Sequence, residues 1–313
     1  MDLIKERLWN MPYKSRVKST ELLTLEYLNY RMNLPGKNKQ HYLNLLRGFE
    51  GEVQFDSLTE KLQCDCIILN DLLLKINNTY FQIDTIIITS HTIYIFEVKN
   101  YEGDYYYGYD EDKFYKIPDY EITNPLHQLS RSESLLRQLF LKQGIKLPIK
   151  ASVILINPGF NLYQAPLYKP FIFSNQINRH LSKINSTPTK LNGKHKLIAD
   201  KLMSLHIEES PFTQLPDYSY NQLKKGITCV KCNSFSVTFD GRMCVCAACG
   251  HGEKEVSAVM RVVKEFTLLF PELKITTSII HEWCQAIASK KIIRRILKQN
   301  FTMTGSNRGA YFK

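Results

Sequence analysis

The stretch Ile93–Gly103, IYIFEVKNYEG, begins as an apolar strand and ends with an acid and a lysine two residues apart, Glu97-Val98-Lys99. The stretch before it, Tyr80–Thr89, reads YFQIDTIIIT and has the isoleucine and aromatic content that strands favour. A turn centred on Ser90-His91 joins the two as a hairpin and sets Asp84 opposite Glu97. Opposed side chains on an antiparallel pair have Cβ atoms roughly 4.5–5.5 Å apart, so the two carboxylates converge on one face. Lys99, two residues beyond Glu97, shares that face.

Two anions brought together at the end of an apolar hairpin repel each other and lose hydration unless a cation lies between them or one is protonated. A hard divalent ion such as Mg²⁺ suits a few carboxylates with water and a phosphate, and a nearby lysine can orient or deprotonate an attacking water. The strand ending therefore reads as a phosphodiester-cleaving site. The plain alternative is an ion pair at a sheet edge.

Two further stretches bear on that choice. Gly48–Glu52, GFEGE, opens a helical pattern running to Leu62, with Glu52 in line with Phe55, Thr59 and Leu62 and glycines that permit close backbone approach. An acid near a helix N-terminus is also favourable in itself. Asn124–Gln128, NPLHQ, supplies an N-cap and a first-turn proline, and places Gln128 where an amide can meet phosphate or water.

GFEGE, FQIDTIII, IYIFEVKN and NPLHQ, in this order, resemble the nuclease-related domain family, a branch of the PD-(D/E)XK nuclease superfamily, over roughly residues 45–165. The resemblance implies Glu52 as the helix acid, Asp84 and Glu97 as ligands of Mg²⁺ or Mn²⁺, Lys99 as the catalytic lysine and Gln128 as a supporting polar residue. The superfamily's proline before the aspartate is replaced by Ile83.

Around this hairpin the 313-residue chain offers strands at Cys64–Leu69, Ala151–Ile156 and Pro170–Ser174. Helices are expected at Glu21–Tyr30, from Asn124-Pro125 onward and from Asn175 to Ile184. The fold class is α/β, a restriction-endonuclease-like mixed sheet flanked by helices. The expected organisation is an N-terminal extension (1–45), a nuclease-related domain (46–185), a linker with a helix (186–225), a zinc ribbon (226–253) and a basic helix-turn-helix-like region (254–313).

Five of the eight cysteines crowd between Cys229 and Cys249. Cys229-Val-Lys-Cys232 and Cys246-Ala-Ala-Cys249 are two knuckles close to zinc-ribbon spacing, and four thiolates satisfy a structural tetrahedral Zn²⁺. Cys244 could replace Cys246, with His251 a weaker substitute. Cys64, Cys66 and Cys284 read as packing residues.

The chain carries a formal net charge of +11, and its final sixty residues hold eleven Lys/Arg against four Asp/Glu, or +7 of that total. A helix capped by Thr276-Thr277-Ser278, a second starting at Ser289 and a terminal hairpin make a helix-turn-helix with a wing. In it Lys290, Lys291, Arg294, Arg295 and Arg308 would meet nucleic acid. A solvated basic helix docked on the rest of the protein is the plain alternative. With no bilayer-length apolar run and no signal-peptide core, the expected location is the cytoplasm. The function expected is a metal-dependent nuclease acting on nucleic acid, chiefly DNA. The alternative is a nucleic-acid-binding scaffold that has lost turnover.

Overall fold

The computed structural model describes residues 11–285, 289–305 and 309–313. The chain divides into two compact units. One comprises Leu43–Phe212 with the described part of Met1–Lys18, and the other Ser19–Tyr42 with Thr213–Lys313.

The first unit is built on a five-stranded sheet. Strand β1 (Ile67–Ile76) turns through Asn77-Asn78 into β2 (Thr79–Ile88), and both turn residues have positive φ, a conformation asparagine tolerates in tight hairpins. Strand β2 runs antiparallel to β3 (Ile93–Lys99), which lies parallel to β7 (Ile149–Leu155), itself parallel to β9 (Phe171–Phe173). The β2–β3 ladder pairs Ile88 with Ile93 and Thr85 with Phe96, the register a turn at Ser90-His91 dictates.

Both faces of this sheet are covered, which explains why its central strands are almost continuously apolar. Ile87, Phe96 and Val98 pack with Phe55 of α2 (Gly36–Thr59) and with Ile177, Leu181 and Ile184 of the helix Ser174–Asn185. On the opposite face, Ile86, Ile88, Ile93 and Ile95 pack with Leu126, Leu129 and Leu136 of α3 (Pro125–Lys142). Asn124 caps α3 as the sequence predicts, accepting a hydrogen bond from the Leu126 N–H at 3.0 Å. A second sheet, absent from the sequence reading, joins Gly103–Gly108, Lys113–Lys116, Tyr120–Ile122 and Phe160–Tyr163. It packs Tyr105, Tyr107, Phe114 and Phe160 into the same core as α3.

In the second unit, α1 (Thr20–Arg31) packs on α6 (Glu255–Leu269) through a buried arginine. Arg31 pairs with Glu265, donates to the carbonyls of Lys224 (2.6 Å) and Gly226 (3.1 Å), and lies 4.2 Å from the ring centroid of Trp283. A three-stranded ribbon formed by Val237–Asp240, Met243–Cys246 and Gly252–Lys254 precedes α6. Then come α7 (Thr277–Cys284), α8 (Lys290–Asn300) and a hairpin of Met303–Thr304 with Tyr311–Phe312. A bridge between Ile275 and Phe312 completes the order of a winged helix. Thr276 and Ser289 cap α7 and α8 as expected. Ala286, the expected end of the first of these helices, lies outside the described residues. Among those residues no helix is long and apolar enough to cross a membrane.

Candidate active site and metal centre

Asp84 shares the parity of Ile86 and Ile88, and Glu97 and Lys99 that of Ile93 and Ile95. All three side chains therefore belong to the α3 side of the sheet, where β3 runs out of apolar residues. Asp84 and Glu97 are 5% and 3% exposed. The Asp84 Oδ2 accepts from the Val98 N–H at 2.7 Å, just beyond the last ladder pair. Glu97 Oε1 lies 2.7 Å from Lys99 Nζ, which also donates to Gln128 Oε1 at 2.9 Å from the second turn of α3.

Glu52 approaches from α2, on the other face. Its helix comes close because residue 51 is glycine: a Cβ there would lie 2.6 Å from Asn100 Cβ and 3.1 Å from Ile156 Cγ2. The Asn100 side chain donates to the Arg47 carbonyl at 2.9 Å, tying the end of β3 to α2. The five residues that the sequence singles out thus gather at one end of the sheet, with Glu52 across from the others.

Between them stands a residue the sequence reading missed. Arg16 Nη1 donates to Glu52 Oε2 at 2.6 Å, and its Nε and Nη2 fork onto Asp56 at 2.9 and 3.1 Å. Its Nη2 also reaches the backbone carbonyl of Asp84 at 2.7 Å. Glu52 and Asp56, one helical turn apart and both turned inward, were the available signal: two such acids require a buried cation. Nothing local in the sequence says which one.

The electrostatics follow from this burial. Desolvation, then repulsion from Asp84, pushes Glu52 up to about 8 against the pull of Arg16. Desolvation, then Asp84, likewise pushes Glu97 up to about 8 against Lys99 and Gln128. Asp84 is raised by burial despite Lys99, the Val98 N–H and Arg16. Burial alone would lower Lys99, but Glu97, Tyr101 and Asp84 hold its ammonium above the ordinary lysine range. These are hard oxygen donors with more negative charge than their surroundings satisfy, a donor set that fits a divalent ion such as Mg²⁺ or Mn²⁺.

The cysteine knuckles form a second centre. Cys229, Cys232, Cys246 and Cys249 place their sulfurs within 4.8 Å of one another, the only such group of three or more potential ligands among the described residues. Each knuckle closes in the same way. The Asn233 N–H donates to the Cys229 carbonyl at 2.9 Å and the Gly250 N–H to the Cys246 carbonyl at 2.8 Å, and both donors have positive φ. Cys244 lies outside the cluster, buried, so Cys246 is the third member. The four-cysteine group fits a zinc ribbon.

In the winged-helix segment, Lys290, Lys291 and Arg294 line a cavity of about 690 Å³ with Thr276, Thr277 and Ser278. Arg295 turns instead to Glu255, 3.3 Å away. Arg308 lies outside the described residues.

Residues 47–156 match the family model of the nuclease-related domain, and the match takes in Glu52, Asp84, Glu97, Lys99 and Gln128. No curated protein and no solved structure matched the chain.

Proposed function

We propose that the protein is a metal-dependent nuclease that hydrolyses phosphodiester bonds, chiefly of DNA, and works in the cytoplasm. The observation that carries this reading is the meeting of Asp84, Glu97, Lys99 and Gln128 where the end of β3 faces the middle of β2, inside a segment matched to a nuclease-related family.

Asp84 and Glu97 would hold Mg²⁺ or Mn²⁺. Such an ion, when bound, supplies positive charge that polarises a phosphoryl oxygen and acidifies water. Lys99, kept cationic by Glu97 and aimed by Gln128, is a donor that orients the attacking water or a phosphate oxygen. Glu52 supports the site from α2. The ribbon at 226–253 binds one structural zinc, and the region 254–313 brings the enzyme to its substrate through Lys290, Lys291 and Arg294, with Arg295 and Arg308 beside them.

The test is to incubate the purified full-length protein with labelled single- and double-stranded DNA and RNA, adding Mg²⁺, Mn²⁺ or EDTA, beside Glu97→Ala. Cleavage that needs the divalent ion and disappears in the variant supports the reading. Binding without cleavage under every condition overturns it and leaves a nucleic-acid scaffold.

A further inference from the structure

Arg16 lies outside the segment that matches the nuclease-related family, and it enters the acid cluster on a strand-like stretch laid beside β1. The Tyr13 N–H donates to the Ile68 carbonyl at 2.8 Å and the Asn70 N–H to the Lys14 carbonyl at 3.0 Å, which fixes the register of that stretch. Lys14, of the same parity as Arg16, is anchored by the carbonyls of Asn70 (2.9 Å) and Asp71 (2.6 Å). The Arg16 side chain is 2% exposed and meets three acceptors from two elements: Glu52 and Asp56 of α2, and the main chain of β2 at Asp84.

Once their carboxyls are ionised, Glu52, Asp56, Asp84 and Glu97 bring four negative charges to the site, and Arg16 and Lys99 return two. The remainder, two negative charges, is what one divalent ion neutralises. Without Arg16 the remainder would be three, and the two α2 acids would stand unpaired.

The geometry points to Arg16 as a positioning residue that acts as a built-in second cation, so that the site takes a single divalent ion on Asp84 and Glu97 while Glu52 is held beside it without coordinating it. The inference rests on the nuclease reading above. Its chemistry depends on the planar fork: a guanidinium spans Asp56, Glu52 and the Asp84 carbonyl at once, whereas an ammonium supplies the charge without that span.

The experiment measures Mn²⁺ bound per chain by calorimetry on full-length, zinc-replete protein, together with kcat and KM for cleavage of a labelled duplex. It compares the wild type with Glu97→Gln, Arg16→Lys and the pair Arg16→Met/Asp56→Asn, which removes one charge of each sign to spare the fold. The wild type should bind one Mn²⁺, lost in Glu97→Gln. Arg16→Lys should still bind one, with kcat about 10- to 100-fold lower at unchanged KM, as when a group orienting a metal site is displaced. The double variant should release Glu52 as a ligand and change the Mn²⁺ stoichiometry or affinity. Two Mn²⁺ in the wild type, or wild-type kcat and Mn²⁺ binding in both Arg16 variants, would overturn the proposal. Failure of the nuclease reading looks different: no cleavage by the wild type, or Mn²⁺ binding indifferent to Glu97→Gln.

Discussion

The Asp84 carboxylate accepts the backbone N–H of Val98 at 2.7 Å, so the side chain of β2 is fastened to β3 one residue past Glu97. The acid pair is therefore held by the main chain as well as by the ladder. Asp84→Asn, Glu97→Gln and Lys99→Ala should each abolish cleavage in the presence of Mg²⁺ while the protein stays folded. Single-turnover assays and circular dichroism on the same samples check this, and undiminished cutting by all three variants sinks the assignment.

Gly51→Ala tests the approach of α2. The new Cβ would meet Asn100 and Ile156, so the helix has to move away from the sheet and carry Glu52 with it. We expect a loss of about 1–3 kcal/mol of stability, as for other forced insertions into close packing. Cleavage should fall with it at temperatures where the variant is still folded. A melting temperature equal to the wild type's would show that the close approach is dispensable.

In the ribbon, elemental analysis of protein purified without chelator should find one zinc per chain. Thiolate ligation stabilises so small a module directly, so Cys232→Ser should lose the metal and become protease-sensitive from about residue 226 onward. Cys244→Ser, outside the cluster, should keep it.

Removing the whole tail is a poor test of nucleic-acid binding, because it takes away Glu265 and Trp283, which pair with and cover Arg31, and so disrupts the second unit itself. Breaking a buried pair of this kind costs about 3–5 kcal/mol. Arg31→Ala should accordingly destabilise the second unit by that order, measured by chemical denaturation.

The combined variant Lys290→Ala, Lys291→Ala and Arg294→Ala alters only the cavity lining. Its binding to duplex DNA should weaken, with the log–log salt slope flatter by roughly 0.9 for each phosphate that the variant no longer neutralises. An unchanged slope on folded protein would assign the basic helix a structural role instead.

The hairpin was legible in the sequence because its register is local: a two-residue turn and a side-chain period of two fix which residues face each other. Asn124 and Ser289 announced their helices for the same reason, since a cap acts within three residues. Arg16 was hidden because its partners lie 36 to 68 residues away and its own surroundings, KSRVKS at 14–19, read as an ordinary basic surface stretch. The second sheet was missed as well. Its strands are three to six residues long and dominated by tyrosine, and their apolar faces show only once Phe114 and Phe160 meet across it.

The bond from Val98 to Asp84 also limits what the proposed site can offer an ion. With Asp84 Oδ2 accepting a backbone N–H and Glu97 Oε1 2.7 Å from the Lys99 ammonium, each carboxylate has one oxygen clear of these two donors and one that an ion would have to share with them. A small ion content to keep most of its water, such as Mg²⁺ or Mn²⁺, is served by the two clear oxygens; Ca²⁺, which gathers about six to eight at longer range, is not. Selectivity for the smaller ion would then come from what the β3 main chain withholds.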